Sequence, residues 1–248
     1  MPKNSGSNNS FTHSRLRSFL YVWLAGFIGS VSYVPAIPKL IPEHVRLPFS
    51  MNTLVILSVL QSAIVITIFA AVGALLTPRI GFRAYLADVP IKKKVFWIVL
   101  KRQFFYGAPI GLAGSIVAYF IAPDFVAYLT MYPFVTRLFG SLTEEVIMRW
   151  GIMTIIAWIL WRIFQHGIVI PKESLIWSVV LLSQILFAIG HTPILIRFGT
   201  TNPLWCVFTI FIVSLPWGWL FWKHGLESAF IAHASFHAFT ALFVAVKL

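Results

Sequence analysis

The stretch Met51-Asn-Thr-Leu-Val-Ile-Leu-Ser-Val-Leu-Gln-Ser-Ala-Ile-Val-Ile-Thr-Ile-Phe-Ala-Ala-Val-Gly-Ala-Leu-Leu76 decides the fold class, because it holds no charged residue from end to end. A bilayer core takes about 20 apolar residues as a helix, so this run crosses it with some tilt. Backbone polar groups find no water in hydrocarbon and must pair within the segment. The run is therefore read as a membrane helix.

Similar apolar runs lie on both sides, at Phe19–Ile37, Phe104–Ala122, Phe125–Phe164, Ser174–His191, Leu204–Trp222 and Leu226–Val246. The run from Phe125 is too long for one straight span. A proline lacks the backbone donor that a helix interior needs, so a break is expected near Pro133 or Gly140. The expected architecture is all-α, a polytopic transmembrane helical bundle of about seven to eight spans. Residues 18–248 form a single transmembrane domain. Residues 1–17, rich in Ser and Asn and carrying Lys3, Arg15 and Arg17, read as a disordered basic tail. The run after Arg17 is too long for a signal-peptide core and lacks a small-residue cleavage site, so it reads as a retained first span.

Composition agrees. Of 248 residues, 59% are hydrophobic and 10% charged, with a mean hydropathy of +0.87. Soluble domains carry about a quarter charged residues, which excludes a soluble globular enzyme. The net charge of +12 suggests an anionic partner, but a nucleic-acid reader gathers its Lys and Arg on one solvated face. Here they sit between apolar runs, the pattern of cytoplasmic loops meeting anionic headgroups. The partner is the lipid bilayer, not nucleic acid. Arg79, Arg83, Lys92, Lys93, Lys94, Lys101 and Arg102 against the single acid Asp88 mark a cytoplasmic loop. Counting crossings back puts the N-terminus on the cytoplasmic side of a multi-pass protein of the cell membrane. Trp205, Trp217, Trp219 and Trp222 read as interfacial anchors. Cys206 is the only cysteine, so neither an intramolecular disulfide nor a thiolate metal cluster is available. No internal repeat or heptad emerges.

Ionisable groups inside apolar runs cost roughly 2.5 to 3.5 kcal/mol on insertion scales and normally face a partner or a water-filled cavity. Three groups stand out. In Ser141-Leu-Thr-Glu-Glu-Val-Ile-Met-Arg149, Glu145 and Arg149 stand at i and i+4 with the acid first, the favourable order for a helical ion pair. Glu144 points about 100° away on an α-helix and has no local partner, which suits general-base work. His191 follows Phe187 at the end of its run. His233 and His237 stand at i and i+4 on one helical face, where imidazoles bind a metal, orient a water or donate to an oxyanion. Glu227, Lys223 and His224 read as solvated or snorkelling. Arg137 and Arg197 read as interfacial, with Arg197 near enough to His191 to test.

These residues resemble the CPBP family, intramembrane proteases grouped with the type II CAAX prenyl endopeptidases and with Abi-like bacteriocin-immunity proteins. Its pattern is Glu-Glu-x-x-x-Arg, then Phe-x-x-x-His, then His-x-x-x-Asn or Asp. Glu144, Glu145 and Arg149 match the first motif, Phe187 and His191 the second, and His233 opens the third. His237 stands where the family has Asn or Asp. The resemblance spans about 104–248 and implies a catalytic core there. The resemblance implies that Glu144 activates a water for attack on a peptide carbonyl and that His191 contacts that water. His233 and His237 then hold the water or stabilise the oxyanion, with Glu145, Arg149 and Phe187 in support. The implied substrate is a peptide or membrane protein, lipid-modified or membrane-embedded, and no cofactor is required.

Two alternatives stay open. Histidine ligates zinc where asparagine rarely does, so His191, His233, His237 and Glu144 form a candidate metal set for a zinc-dependent metalloprotease. A non-enzymatic immunity or transport protein is the other. Helical rise also predicts that His191 and His233 differ in depth by about 10 Å or more.

Overall fold

The computed structural model describes residues 6–41, 45–88, 93–130, 132–166, 169–197 and 199–246; side chains are described outside 6–14, 93, 128 and 130. Lys3, His44 and part of the basic loop, including Lys92, lie outside the described residues. Among the described residues all regular structure is helical. Six helices are long and apolar enough to cross a membrane, or seven when the bent pair Arg15–Ser32 and Val34–Leu40 (48°) counts as a span. The chain is an all-α, multi-pass membrane protein.

Helix α1 (Gly6–Ser32) reaches into the stretch read as a tail. Once the apolar turns after Phe19 nucleate a helix, extending it costs little per residue. A 3-10 turn, Val34–Leu40, follows. Helix α2 (Met51–Ile80) begins where the Ser50 hydroxyl accepts the Thr53 N–H at 3.2 Å, a standard N-cap. It ends at Gly81, whose φ of 89° favours a residue without a Cβ. The lipid-facing sides of α1 and α2 expose Leu20, Leu24, Ile56, Leu60 and Ile64, as a hydrocarbon solvent requires.

The short α3 (Tyr85–Asp88) is pinned to the start of α10 (Leu226–Val246). Both Glu227 carboxylate oxygens accept backbone N–H groups, from Tyr85 at 3.0 Å and Leu86 at 2.8 Å. Leu226 N–H donates to the Arg83 carbonyl at 3.0 Å. Glu227 is thus a buried cap, 2% exposed, and not a solvated acid, because α3 folds back over it and offers two unpaired donors. Burial pushes the nearby Asp88 carboxyl above its usual range, opposed by Arg83 and Arg17.

Helix α4 (Lys93–Ile121) lies against α10 with almost no side chain between them. A Cβ on Gly107 would stand 2.6 Å from the Ser228 carbonyl, and one on Gly111 2.3 Å from that of Ala232. This is small-residue packing of the Gly-x-x-x-Gly kind, which lets membrane helices approach backbone to backbone.

The long run beginning at Phe125 is broken, as expected, near Pro133. Helix α5 (Pro123–Thr130) has 8 residues, about 12 Å of rise, and is too short to cross. The span Phe134–Phe164 then continues through π-helical stretches Phe139–Glu144 and Val146–Met153 into α6 (Thr154–Phe164). Helices α7 (Glu173–Gly190), α8 (Thr192–Arg197) and α9 (Pro203–His224) complete the bundle. Asn202 caps α9 by accepting the Trp205 N–H at 3.0 Å, and Lys223 pairs with Glu173 between the end of α9 and the start of α7.

Candidate active site

The π-helical winding from Phe139 to Met153 sets the first part of the site. A π-turn is rare and occurs frequently at functional positions. Here it carries Gly140, Glu144, Glu145 and Arg149. The expected ion pair is present, with Arg149 Nε 3.0 Å from Glu145 Oε2 and both side chains fully buried. The expectation of a regular α-helix there is corrected. Contacts with several neighbours hold the wider turn: Trp150 Nε1 donates to the Ala70 carbonyl at 3.2 Å, and Thr143 Oγ1 to that of Gly26 at 2.7 Å.

Glu145 spends its other oxygen on His233, whose Nδ1 lies 2.9 Å from Oε1. A carboxylate accepts, so Nδ1 carries the proton and Nε2 is left with its lone pair. His233 is clamped flat between two rings, Trp217 at 4.1 Å and His237 at 4.9 Å between centroids. Phe187 stands 5.1 Å from the Arg149 guanidinium, a cation–π contact, and packs edge-on against His191 at 4.6 Å. The second motif's phenylalanine therefore ties the ion pair to the second histidine.

His191 is fixed by its own helix end. Its Nδ1 lies 2.8 Å from the Phe187 carbonyl, which only accepts, so Nε2 is directed elsewhere, towards Glu144. The gap between His191 Nε2 and Glu144 Oε2 is 4.0 Å, too long for a direct hydrogen bond and within reach of a shared water. Their side chains are 22% and 25% exposed, in contrast with the sealed Glu145 and Arg149.

Glu144, His191, His233 and His237 all line one cavity of ≈ 390 Å³. The depth difference expected between His191 and His233 does not separate them. At the cavity wall Gly140 leaves a space into which two imidazoles point. A Cβ there would stand 3.0 Å from His237 Nε2 and 3.2 Å from His233 Nε2, so both imidazole nitrogens close on the glycine and any side chain at 140 would crowd them.

The four-residue zinc set is not assembled. Among the described residues no group of three His, Cys, Asp or Glu side chains is placed to hold a metal ion. His233 is already committed through Nδ1 and stacked on His237, while Glu144 and His191 face each other. The donors divide into two pairs in place of one shell.

Four cavity residues escaped the sequence reading. Arg137, read as interfacial, lines the cavity and donates from Nη1 to the His237 carbonyl at 3.1 Å. Tyr33 enters from the first span and stacks on Phe139 at 4.8 Å. Trp217 is an inner wall, 2% exposed, and not an interfacial anchor. Gly140 carried no polar signal at all. Arg197 is not among the residues lining the cavity.

Comparison with known proteins bears on the same residues. The family model of the type II CAAX prenyl endopeptidase Rce1-like proteins matches residues 126–239, a segment that includes every motif residue from Glu144 to His237. The match covers less than half of the chain and supports a likeness to the CPBP intramembrane proteases. No curated protein and no solved structure matches the chain. That likeness supports, at family level, a CAAX-type intramembrane endopeptidase. Its site stands on the spans after α5, while α1 and α4, outside the matched segment, contribute Tyr33 and the support beneath α10.

Proposed function

We propose that the protein hydrolyses a peptide bond at membrane depth, using a water activated by Glu144 and steered by His191. The reading rests on one observation above all: Glu144, which faces His191 at 4.0 Å, and three imidazoles open onto one cavity whose remaining lining is mainly apolar. Glu144 takes a proton from the water as its oxygen attacks the carbonyl carbon. The carbonyl oxygen, now anionic, moves towards Nε2 of His233 and His237, where His237 donates from Nε2–H and His233 donates as the imidazolium, its Nδ1–H kept on Glu145. Removing one such donor from an oxyanion site typically costs about 10²–10³ in rate. The proton then passes from Glu144 to the leaving amine, and the peptide bond breaks.

Glu145 and Arg149 position His233 and do not touch the reacting atoms. Glu145 fixes its tautomer and Arg149 neutralises Glu145 where water is absent. The substrate is a peptide or membrane protein, and a lipid-modified segment suits the apolar wall. The test uses proteoliposomes and a quenched fluorogenic peptide presented with and without an attached lipid. Wild type is expected to cleave at least one form and Glu144→Gln neither. Equal turnover by the two proteins overturns the general-base assignment.

A further inference from the structure

A second cavity of ≈ 350 Å³ lies beside the active-site cavity, walled by α1, the turn after it, α2 and the π-helical segment. Tyr33, Phe139 and Ile147 line both cavities. The stacked rings of Tyr33 and Phe139 therefore form part of a partition, with Gly140 directly beyond Phe139.

The lining of this chamber is unlike a lipid groove. Ser58, Gln61 and Ser62 stand at i, i+3 and i+4 on α2 and share one face, and all three line the chamber. Gln61 lies about 15 Å along the helix from Met51, at hydrocarbon depth. Among the described residues no protein group pairs with its carboxamide. Ser30 lines the opposite wall; its side chain is 4% exposed, and its hydroxyl has no hydrogen-bond partner among the described residues. Among the described residues no charged side chain lines the chamber.

Polar groups in a membrane normally face a partner or a water-filled cavity, and a partner that displaces water here must be neutral and able both to donate and to accept. A lipid tail does neither, and a headgroup brings charge that none of the described lining residues balances. An unwound peptide segment has both N–H and C=O groups that hydrocarbon leaves unsatisfied. We propose that this chamber is a docking site for a neutral, unwound segment of a polypeptide substrate, held by Ser30, Ser58, Gln61 and Ser62. From there it passes the Tyr33–Phe139 partition to present a carbonyl at Gly140. The identification of the occupant as a substrate rests on the proteolytic reading; the docking of a peptide does not.

The test is photolabelling of the full chain in phosphatidylcholine nanodiscs, read by mass spectrometry. One probe is a single-span peptide of Leu, Ala and Gly with a diazirine at its centre, and the other is diazirine-bearing palmitate. The peptide is expected to label Ser58, Gln61 and Ser62 over the outward Ile56, Leu60 and Ile64 by roughly fivefold or more, the ratio that one net hydrogen bond supplies. Palmitate is expected to show the reverse preference. The variant Ser58→Ala with Gln61→Leu and Ser62→Ala should abolish the peptide's preference, and Ser30→Ala, on the other wall, should weaken it. Equal peptide labelling of both faces, or palmitate concentrated in the chamber, overturns the proposal. Adduct formation needs no cleavage, so chamber labelling by a protein without proteolytic activity supports docking and counts against the proteolytic reading alone. Cleavage without chamber labelling does the opposite.

Discussion

Replacing Gly140 by alanine adds one methyl group against the two imidazole nitrogens that the proposed oxyanion meets. The new Cβ would stand 3.0 Å from His237 Nε2 and 3.2 Å from His233 Nε2, while a carbonyl oxygen needs each donor free at about 2.7–3.1 Å. The methyl takes up the approach to both nitrogens. Retreat of the imidazoles is resisted on both sides, since His233 is held by Glu145 at 2.9 Å and by the Trp217 ring at 4.1 Å. Losing that stabilisation is expected to lower kcat by about 10²–10³, or roughly 3 to 4 kcal/mol in the barrier. Stability should move little. Alanine is a better helix former than glycine by about 0.5–1 kcal/mol, which offsets part of the cost of crowding the two held rings. Turnover of the fluorogenic peptide and the thermal unfolding midpoint, measured on the same reconstituted sample, separate the two effects. A Gly140→Ala protein that keeps wild-type turnover refutes the idea that the reacting oxygen lies between the two histidines. A protein that loses turnover only because it unfolds fails the argument as well, since the geometry predicts a folded, inactive variant.

Further predictions concern the supports of the site. Arg149→Ala leaves Glu145 buried without its cation, a change that costs about 3–5 kcal/mol, and should reduce membrane abundance and the unfolding midpoint; unchanged values would mean that the pair carries no stability. Gly111→Val forces side-chain atoms into the Ala232 carbonyl and should destabilise the α4–α10 contact by about 1–3 kcal/mol or more, read as a lower midpoint with lost turnover; normal packing would contradict the backbone approach. Glu227→Ala leaves the Tyr85 and Leu86 N–H groups unpaired, at about 1–3 kcal/mol for a buried orphan. Hydrogen exchange at residues 85–88 should then accelerate, and unchanged exchange would show that the cap is not what holds α3.

The spans and the motif residues were legible because both signals are local. Hydrocarbon demands long apolar runs, and an acid such as Glu144 or a base such as Arg149 inside one is conspicuous in a single sequence. The Glu145–Arg149 pair followed from spacing alone. What was not legible depends on which segments meet. The π-helical winding between Phe139 and Met153 is held by Ala70 and Gly26, residues far away in the chain. Gly107 and Gly111 gain meaning only against Ser228 and Ala232. Glu227 looked solvated because its depth is set by α3 folding back over it, and Trp217 looked interfacial because a tryptophan at a membrane edge and one beside a buried histidine are the same letter. The zinc reading followed from residue types. It failed in placement, because Glu145 holds His233 by one nitrogen and Trp217 holds it flat against His237.

The most direct measurement for the account as a whole is a quantitative survey of protein N- and C-termini in membranes from cells expressing wild type or Glu144→Gln at matched abundance. The account predicts paired new termini, flanking cleaved bonds in membrane proteins or lipid-modified peptides, that occur with wild type and vanish with Glu144→Gln. Identical termini in the two membranes would contradict it.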